Sequence, residues 1–144
     1  MNPDDTKVIF PSEEWTEEFV KKVNESEKYA KAAATWEGDF IFVIEPDGTG
    51  GLTEEIRMYC DLWHGKCRKA FVITEETGEP DAAYIWSGKY ANWLKLLQKK
   101  VGPIKGLMQR KFKLKGDYAK VMRATKAAQE LVNCTTMVEN VEFL

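Results

Sequence analysis

The sequence predicts an α/β fold of the α+β kind, built on a five-stranded, mostly antiparallel sheet, and three observations carry that expectation. Apolar residues recur at helical spacing near both ends of the chain and again after residue 87, whereas residues 39–73 alternate or run β-branched and aromatic. Pro46-Asp47-Gly48, His64-Gly65 and Glu79-Pro80 cut the extended part into strand-sized pieces. With 144 residues, 44% of them hydrophobic, one core can form without disulfides or metals, so residues 1–144 read as a single domain.

The elements follow in order. Pro11-Ser12-Glu13-Glu14 is a helix start: Ser12 can cap it, and two carboxylates sit in the first turn where the helix dipole favours them. Trp15, Phe19 and Val23 then fall at steps of four, and Ser26 opens a second helix with Tyr29, Ala33 and Trp36 inward. Gly38 marks the change of period. DFIFVIE (39–45) is a strand stopped by Pro46-Asp47-Gly48, and EIRMYCDLW and CRKAFVIT form a hairpin about His64-Gly65. Its alternation puts Ile56, Met58, Cys60 and Leu62 on one face and pairs residue 62 with 67 and 60 with 69. DAAYIW is the fourth strand, after which Ser87 is expected to cap a helix carrying Tyr90, Trp93, Leu94 and Leu97 and ended by Gly102-Pro103. KFKLK (111–115) reads as an edge strand with Phe112 and Leu114 on one side and lysines on the other, and Gly116-Asp117 as a turn and cap for a helix with Val121, Ala124, Ala128 and Leu131.

The net charge of −2 hides a polarity. Residues 1–83 hold 9 Lys/Arg against 19 Asp/Glu, while residues 84–144 hold 12 against 4, and between Lys89 and Lys126 the only acid is Asp117. Solvated helix faces and attraction between the halves account for such a pattern, and so does a patch for phosphates or anionic surfaces.

Motifs for chemistry are absent. There is one histidine, His64, at the hairpin tip, and no GxSxG, GxxxxGK[ST] or GxGxxG, so no catalytic residue, cofactor or enzyme class is indicated. Cys60, His64 and Cys67 lack the four convergent ligands of a structural zinc site, so no metal is expected and all three cysteines are read as free thiols. Asp117 places a carboxylate where a phosphate would sit at the last helix, which argues against a phosphate cradle there. No apolar run reaches the roughly 18 residues of a membrane span, and MNPDDTKVIF lacks a basic n-region followed by an apolar core, so the expected location is cytoplasmic.

Two segments carry a family resemblance. EPDAAYIWSGKYANWLKLLQ is similar to the Pro-Asp strand-helix segment of the sterol carrier protein type-2 family, and GLMQRKFKLKGDYAKVMRATKAAQEL resembles its closing signature, where a strand reading K-L-K-G-D leads into the last helix. The resemblance spans about residues 14 to 133. It implies helices over one face of the five-stranded sheet and an apolar tunnel that takes fatty acids, fatty acyl-CoA, sterols or other lipids without catalysis. Two departures from the animal pattern favour an acyl chain over a sterol: the C-terminal residues Val141-Glu142-Phe143-Leu144 do not form a peroxisomal tripeptide, which argues against a peroxisomal address, and the chain has an acidic N-terminal helix and a tail from Thr135 onward that stays unassigned.

On that reading Trp86, Tyr90, Trp93, Leu97, Ile104, Leu107, Met108 and Phe112 are the expected tunnel wall, because aromatic and Met side chains adapt to flexible apolar ligands. Lys111 and Lys113 are the expected headgroup contacts, and an anionic membrane surface is a transient partner that the basic segment could meet. The alternative is an adaptor that uses Lys89 to Lys126 to bind nucleic acid, anionic membrane or an enzyme. Nucleic acid fits less well, since Trp93 and Phe112 follow the buried period instead of standing exposed between the cations.

Overall fold

The computed structural model describes residues 7–144; residues 1–6, part of the N-terminal stretch weighed against a leader, lie outside the described residues. The elements run β1 (Val8–Phe10), α1 (Glu13–Glu25), α2 (Glu27–Ala32), β2 (Glu37–Glu45), β3 (Ile56–Trp63), β4 (Lys66–Val72), β5 (Tyr84–Lys89), α3 (Tyr90–Leu97), α4 (Pro103–Met108), β6 (Phe112–Lys115), α5 (Tyr118–Arg123), α6 (Thr125–Thr135) and β7 (Val141–Phe143). Five strands make the main sheet in the order β4-β3-β2-β5-β6, antiparallel except for the β2–β5 pair. The sheet is thus five-stranded and mostly antiparallel, but not sequential. The chain leaves β4 at one edge, crosses β3 and β2, and enters β5 beside β2.

Local chemistry explains the helix starts. Ser12 Oγ accepts from the Trp15 N–H at 3.0 Å, Ser26 Oγ from Tyr29 at 3.1 Å, and Asp117 Oδ1 from Lys120 at 3.1 Å. The expected cap at Ser87 is corrected: β5 continues to Lys89, and the first turn of α3 is satisfied from a distance, by Asp47 Oδ2 accepting from the Ala91 N–H at 3.2 Å. The turn after β2 therefore caps the helix after β5. Gly102-Pro103 likewise does not end α3 but opens α4, with proline in the first turn where its missing N–H costs nothing. The single helix expected after Asp117 is two, α5 and α6, broken at Ala124.

The hairpin of β3 and β4 turns at His64 and Gly65, both at positive φ, and Gly65 tolerates no side chain because a Cβ there would lie 2.7 Å from the Ala30 carbonyl oxygen. Cys60 pairs with Ala70, not Lys69, because β4 carries a bulge opposite Asp61. Strict alternation would turn Lys69 inward with Cys67; the extra residue sends Ala70 to the core and leaves Arg68 to pair with Asp61 at 3.0 Å. The edge of β4 is covered by α1, whose Asn24 both donates to the Cys67 carbonyl and accepts from its N–H, while Glu13 accepts from Val72 N–H.

The core divides by sheet face. Phe40, Ile44, Met58, Cys60, Leu62, Tyr84, Trp86 and Phe112 face the helices. Ile41, Val43 and Tyr59 face the other way and are buried by Phe71, Ile73, Ala82 and Ile85, that is, by the crossover between β4 and β5 together with its flanking strand residues. Asp39 ties that crossover down: its carboxylate accepts from Ala83 N–H at 2.7 Å and from the Tyr59 hydroxyl at 2.8 Å. The tail after residue 135, which the sequence reading leaves unassigned, returns as β7 to pair in parallel with β1, and the Tyr90 hydroxyl donates to the Leu144 carbonyl at 2.9 Å.

Candidate functional site: an apolar cavity under the last helix

Between the helix-covered face of the sheet and α6 lies a cavity of about 100 Å³. β2 supplies Phe40, Phe42 and Ile44, β3 supplies Met58 and Leu62, and β5 supplies Trp86. α1 adds Trp15 and Phe19, and α3 adds Trp93, Leu96 and Leu97. The roof is Ala124, Ala127, Ala128, Leu131, Val132 and Thr135. Large rings on the sheet hold the helix away, and the alanines opposite them are too short to fill the gap, so contacts that a dense core would make are forgone. Lys120 of α5 fixes the near end, with its ammonium 4.8 Å above the Trp36 ring and 2.6 Å from the Glu37 carbonyl.

Among the described residues no charged side chain lines the cavity. Burial pushes the Tyr29 phenol up, so that group is neutral across the physiological range, and the Thr135 hydroxyl is spent on the Val132 carbonyl at 2.6 Å. Four tryptophans contribute buried indoles. Trp36 donates to the Gly38 carbonyl at 3.0 Å, and Trp93 to the Val43 and Gly88 carbonyls at 3.0 and 3.2 Å. The Trp15 and Trp86 Nε1 atoms have no acceptor among the described residues, at a cost of about 1–3 kcal/mol each.

Beyond Leu62 and Tyr29 the three cysteines are buried and free. A hydrogen bond from Cys60 holds the Cys67 thiol below its usual range, and that bond together with burial pushes Cys60 up. His64 lies at the exposed hairpin tip, 2.6 Å from Glu37 Oε2, and does not line the cavity. Among the described residues no three His, Cys, Asp or Glu side chains could hold a metal ion. Chemically, the cavity can solvate a hydrocarbon and little else.

Of the eight residues expected to form the wall, Trp86, Trp93 and Leu97 line the cavity. Tyr90 is buried but serves the β1–β7 junction through its hydroxyl. Phe112 is wedged where only glycine fits on either side: a Cβ on Gly88 would overlap its ring, and one on Gly106 would come within 2.9 Å of it. Leu107 and Ile104 pack into the same core outside the cavity, and Met108 is 66% exposed, because α4 ends there and turns its last residue outward. The two lysines expected at the headgroup lie away from the cavity lining. Lys113 pairs with Ser87 on the face opposite Phe112 and Trp86, so the sheet separates it from the cavity; Lys111 precedes that strand and does not line it either.

The residues that sequence reasoning missed, Trp15, Phe19, Trp36, Phe40, Phe42 and the α6 alanines, carry the helix and strand periods of ordinary core. The signal was Ala124, Ala127 and Ala128 at helical spacing opposite strands of large rings. An open tunnel is not seen: the cavity is well below the roughly 300–1,000 Å³ of typical ligand pockets. Next to it is a shallower, more polar hollow of about 230 Å³ lined by Lys99, Val101, Gly102, Pro103, Gln129, Val132 and Asn133. Pro103 and Val132 line both.

The fold is shared with known proteins. The model of the SCP-2 sterol transfer family matches residues 16–129. A conserved hypothetical protein from Thermus thermophilus, described as possibly a sterol carrier protein, is 36% identical with a TM-score of 0.78, over 89% of this chain and 88% of its own. A crystal structure of sterol carrier protein 2 is 34% identical with a TM-score of 0.76, over 88% and 97%. A sterol carrier protein domain of Helicoverpa armigera shares the fold at 22% identity and a TM-score of 0.53, over 92% and 94%. No curated protein is a significant match in sequence.

Proposed function

The chain belongs to the SCP-2 sterol transfer family, and from that premise we propose that it is a non-catalytic carrier of a lipid with a long apolar chain, a fatty acid or fatty acyl derivative. The observation that carries the reading is the apolar, uncharged cavity between aromatic strands and the alanine face of α6. A chain of many methylenes needs more room than about 100 Å³, so loading displaces α6 outward, and the break at Ala124 between α5 and α6 is where the backbone accommodates it. Each methylene taken from water contributes about 0.8 kcal/mol towards that displacement. The polar head lies in the adjoining hollow, where Lys99 offers a cation and Gln129 and Asn133 offer amides, past Pro103 and Val132. Incubating the purified protein with a mixed lipid extract and weighing the intact complex by native mass spectrometry tests the reading. Retention of one fatty acid or acyl lipid per chain is expected; recovery of bare protein from every extract contradicts it.

A second reading is favoured by one observation. Among the described residues no salt bridge includes any of the 12 cations between Lys89 and Lys126, and Met108 stands exposed amid Lys105, Arg110 and Lys111. Such a surface suits transient contact with an anionic membrane from which a lipid is collected. Co-sedimentation with anionic but not neutral vesicles, lost as salt rises, is the expected result; equal binding to both refutes it.

A further inference from the structure

Measured from the hollow, the roof of the cavity has two unequal arms. Pro103 and Val132 line both the cavity and the hollow where the proposed headgroup lies. From Val132 the lining residues run back to Ala124, eight residues or about 12 Å of helix, but onward only to Thr135, about 4.5 Å. An extended chain has its room towards Ala124. Beyond Ala124 that arm reaches Val121 of α5 and Trp36, both buried and both in the cavity wall. Trp36 is held from several directions. Its Nε1 donates to the Gly38 carbonyl at 3.0 Å, its ring packs on Tyr84 at 5.4 Å and Phe40 at 5.8 Å, and the Lys120 ammonium lies 4.8 Å over its face. The same ammonium donates to the Glu37 carbonyl at 2.6 Å, which ties α5 to the start of β2. Lys120 stands before the break at Ala124, and α5 has its own cap from Asp117 and its own buried residue, Val121. Outward movement of α6 therefore widens the cavity without lengthening it.

We propose that Trp36 is the chain-length stop of the cavity, and that Lys120 is the positioning residue that keeps its ring in place. The inference rests on the lipid-carrier reading and deepens it, from any long chain to one whose buried stretch has a set length. An extended hydrocarbon with bonds of about 1.5 Å at angles of about 111° advances about 1.25 Å per carbon, so an arm of about 12 Å holds about ten carbons. Lys120 itself does not line the cavity; it acts on the chain only through the ring.

The test lets saturated fatty acids of rising length displace a neutral environment-sensitive dye from the wild-type protein, Trp36→Leu and Lys120→Met. In the wild type each added carbon should tighten binding about fourfold up to a length of about 10–12 carbons, and further carbons should add nothing. Trp36→Leu is expected to move that break outward by about three carbons, and Lys120→Met to move it the same way by less, with shorter acids bound as in the wild type. A break at the same length in all three proteins, or affinity that keeps rising in the wild type, overturns the proposal. A second readout needs no variant to fold. With the ten-carbon acid labelled only at its terminal methyl, isotope-filtered nuclear Overhauser spectra of the wild type should show contacts from that methyl to Trp36 and Val121. Contacts to Tyr29 or Thr135 instead place the chain end in the short arm and overturn the assignment. Failure of every acid to displace the dye is a different result: it sinks the lipid-carrier reading itself.

Discussion

The two faces of the sheet carry similar residue types and use them differently. On the open side, Ile41, Val43 and Tyr59 are 1%, 3% and 9% exposed although no helix covers them. A crossover pinned by Asp39 packs Ile73 and Ala82 against them, and the Tyr59 ring meets the Phe71 ring at 5.2 Å. On the helical side, Phe40, Phe42, Trp86 and Trp93 are larger, yet a cavity remains. The difference teaches that burial alone does not distinguish core from site. What does is the fit across the interface: a loop laid on the strands follows their surface, whereas helix alanines set against large rings leave a void.

That contrast can be broken most forcefully by filling the cavity. Ala128→Leu adds three carbons to the roof, and uptake of a fluorescent fatty acid should fall by more than about tenfold while stability, read by denaturant melting, changes by less than about 1 kcal/mol. The matching change on the open face is Val43→Phe. With no void to enter, it should destabilise the protein by about 1–3 kcal/mol and leave uptake per folded molecule unchanged. Reversal of the two outcomes would mean that the faces have been assigned the wrong way round.

A change at the margin of the covered face sharpens the comparison further. Gly88→Ala drives a methyl into Phe112, which Gly106 prevents from retreating, so a loss of about 1–3 kcal/mol is expected, with partial recovery when Phe112→Leu is added. Without that recovery, the damage would lie elsewhere than at the ring. On the open face, Asp39→Ala removes the hydrogen bond from Ala83 N–H that holds the crossover and the one from the Tyr59 hydroxyl, and should cost about 1–3 kcal/mol, again with uptake intact.

How much of this could be read from residues depends on distance along the chain. The helix caps at Ser12, Ser26 and Asp117, the hairpin tip and the five strands were legible, because each is decided within four or five residues. The cap of α3 by Asp47 was not, since the accepting carboxylate lies 44 residues from the N–H it caps, and Ser87 supplied a plausible local substitute. The bulge at Asp61 was hidden because alternation predicts only even pairing. The positions of the expected wall residues were hidden for a related reason: Leu107 and Phe112 have the right period and are buried outside the cavity lining, but periodicity reports which side of an element is buried, not whether the space beyond it is filled. Met108 marks the limit, a helix-end residue whose apolarity says nothing of its direction. Met108→Ala should accordingly be the smallest effect, within about 0.5 kcal/mol of wild type and without loss of uptake.

The position of the chain itself is the most direct test. Isotope-filtered nuclear Overhauser spectra of the protein loaded with a uniformly labelled fatty acid report which side chains touch the methylenes. The account predicts contacts to Phe42, Trp86, Trp93, Leu97, Ala128 and Leu131, on both floor and roof of the cavity. Contacts confined to Met108, or to Ile41 and Val43 on the open face, would contradict it.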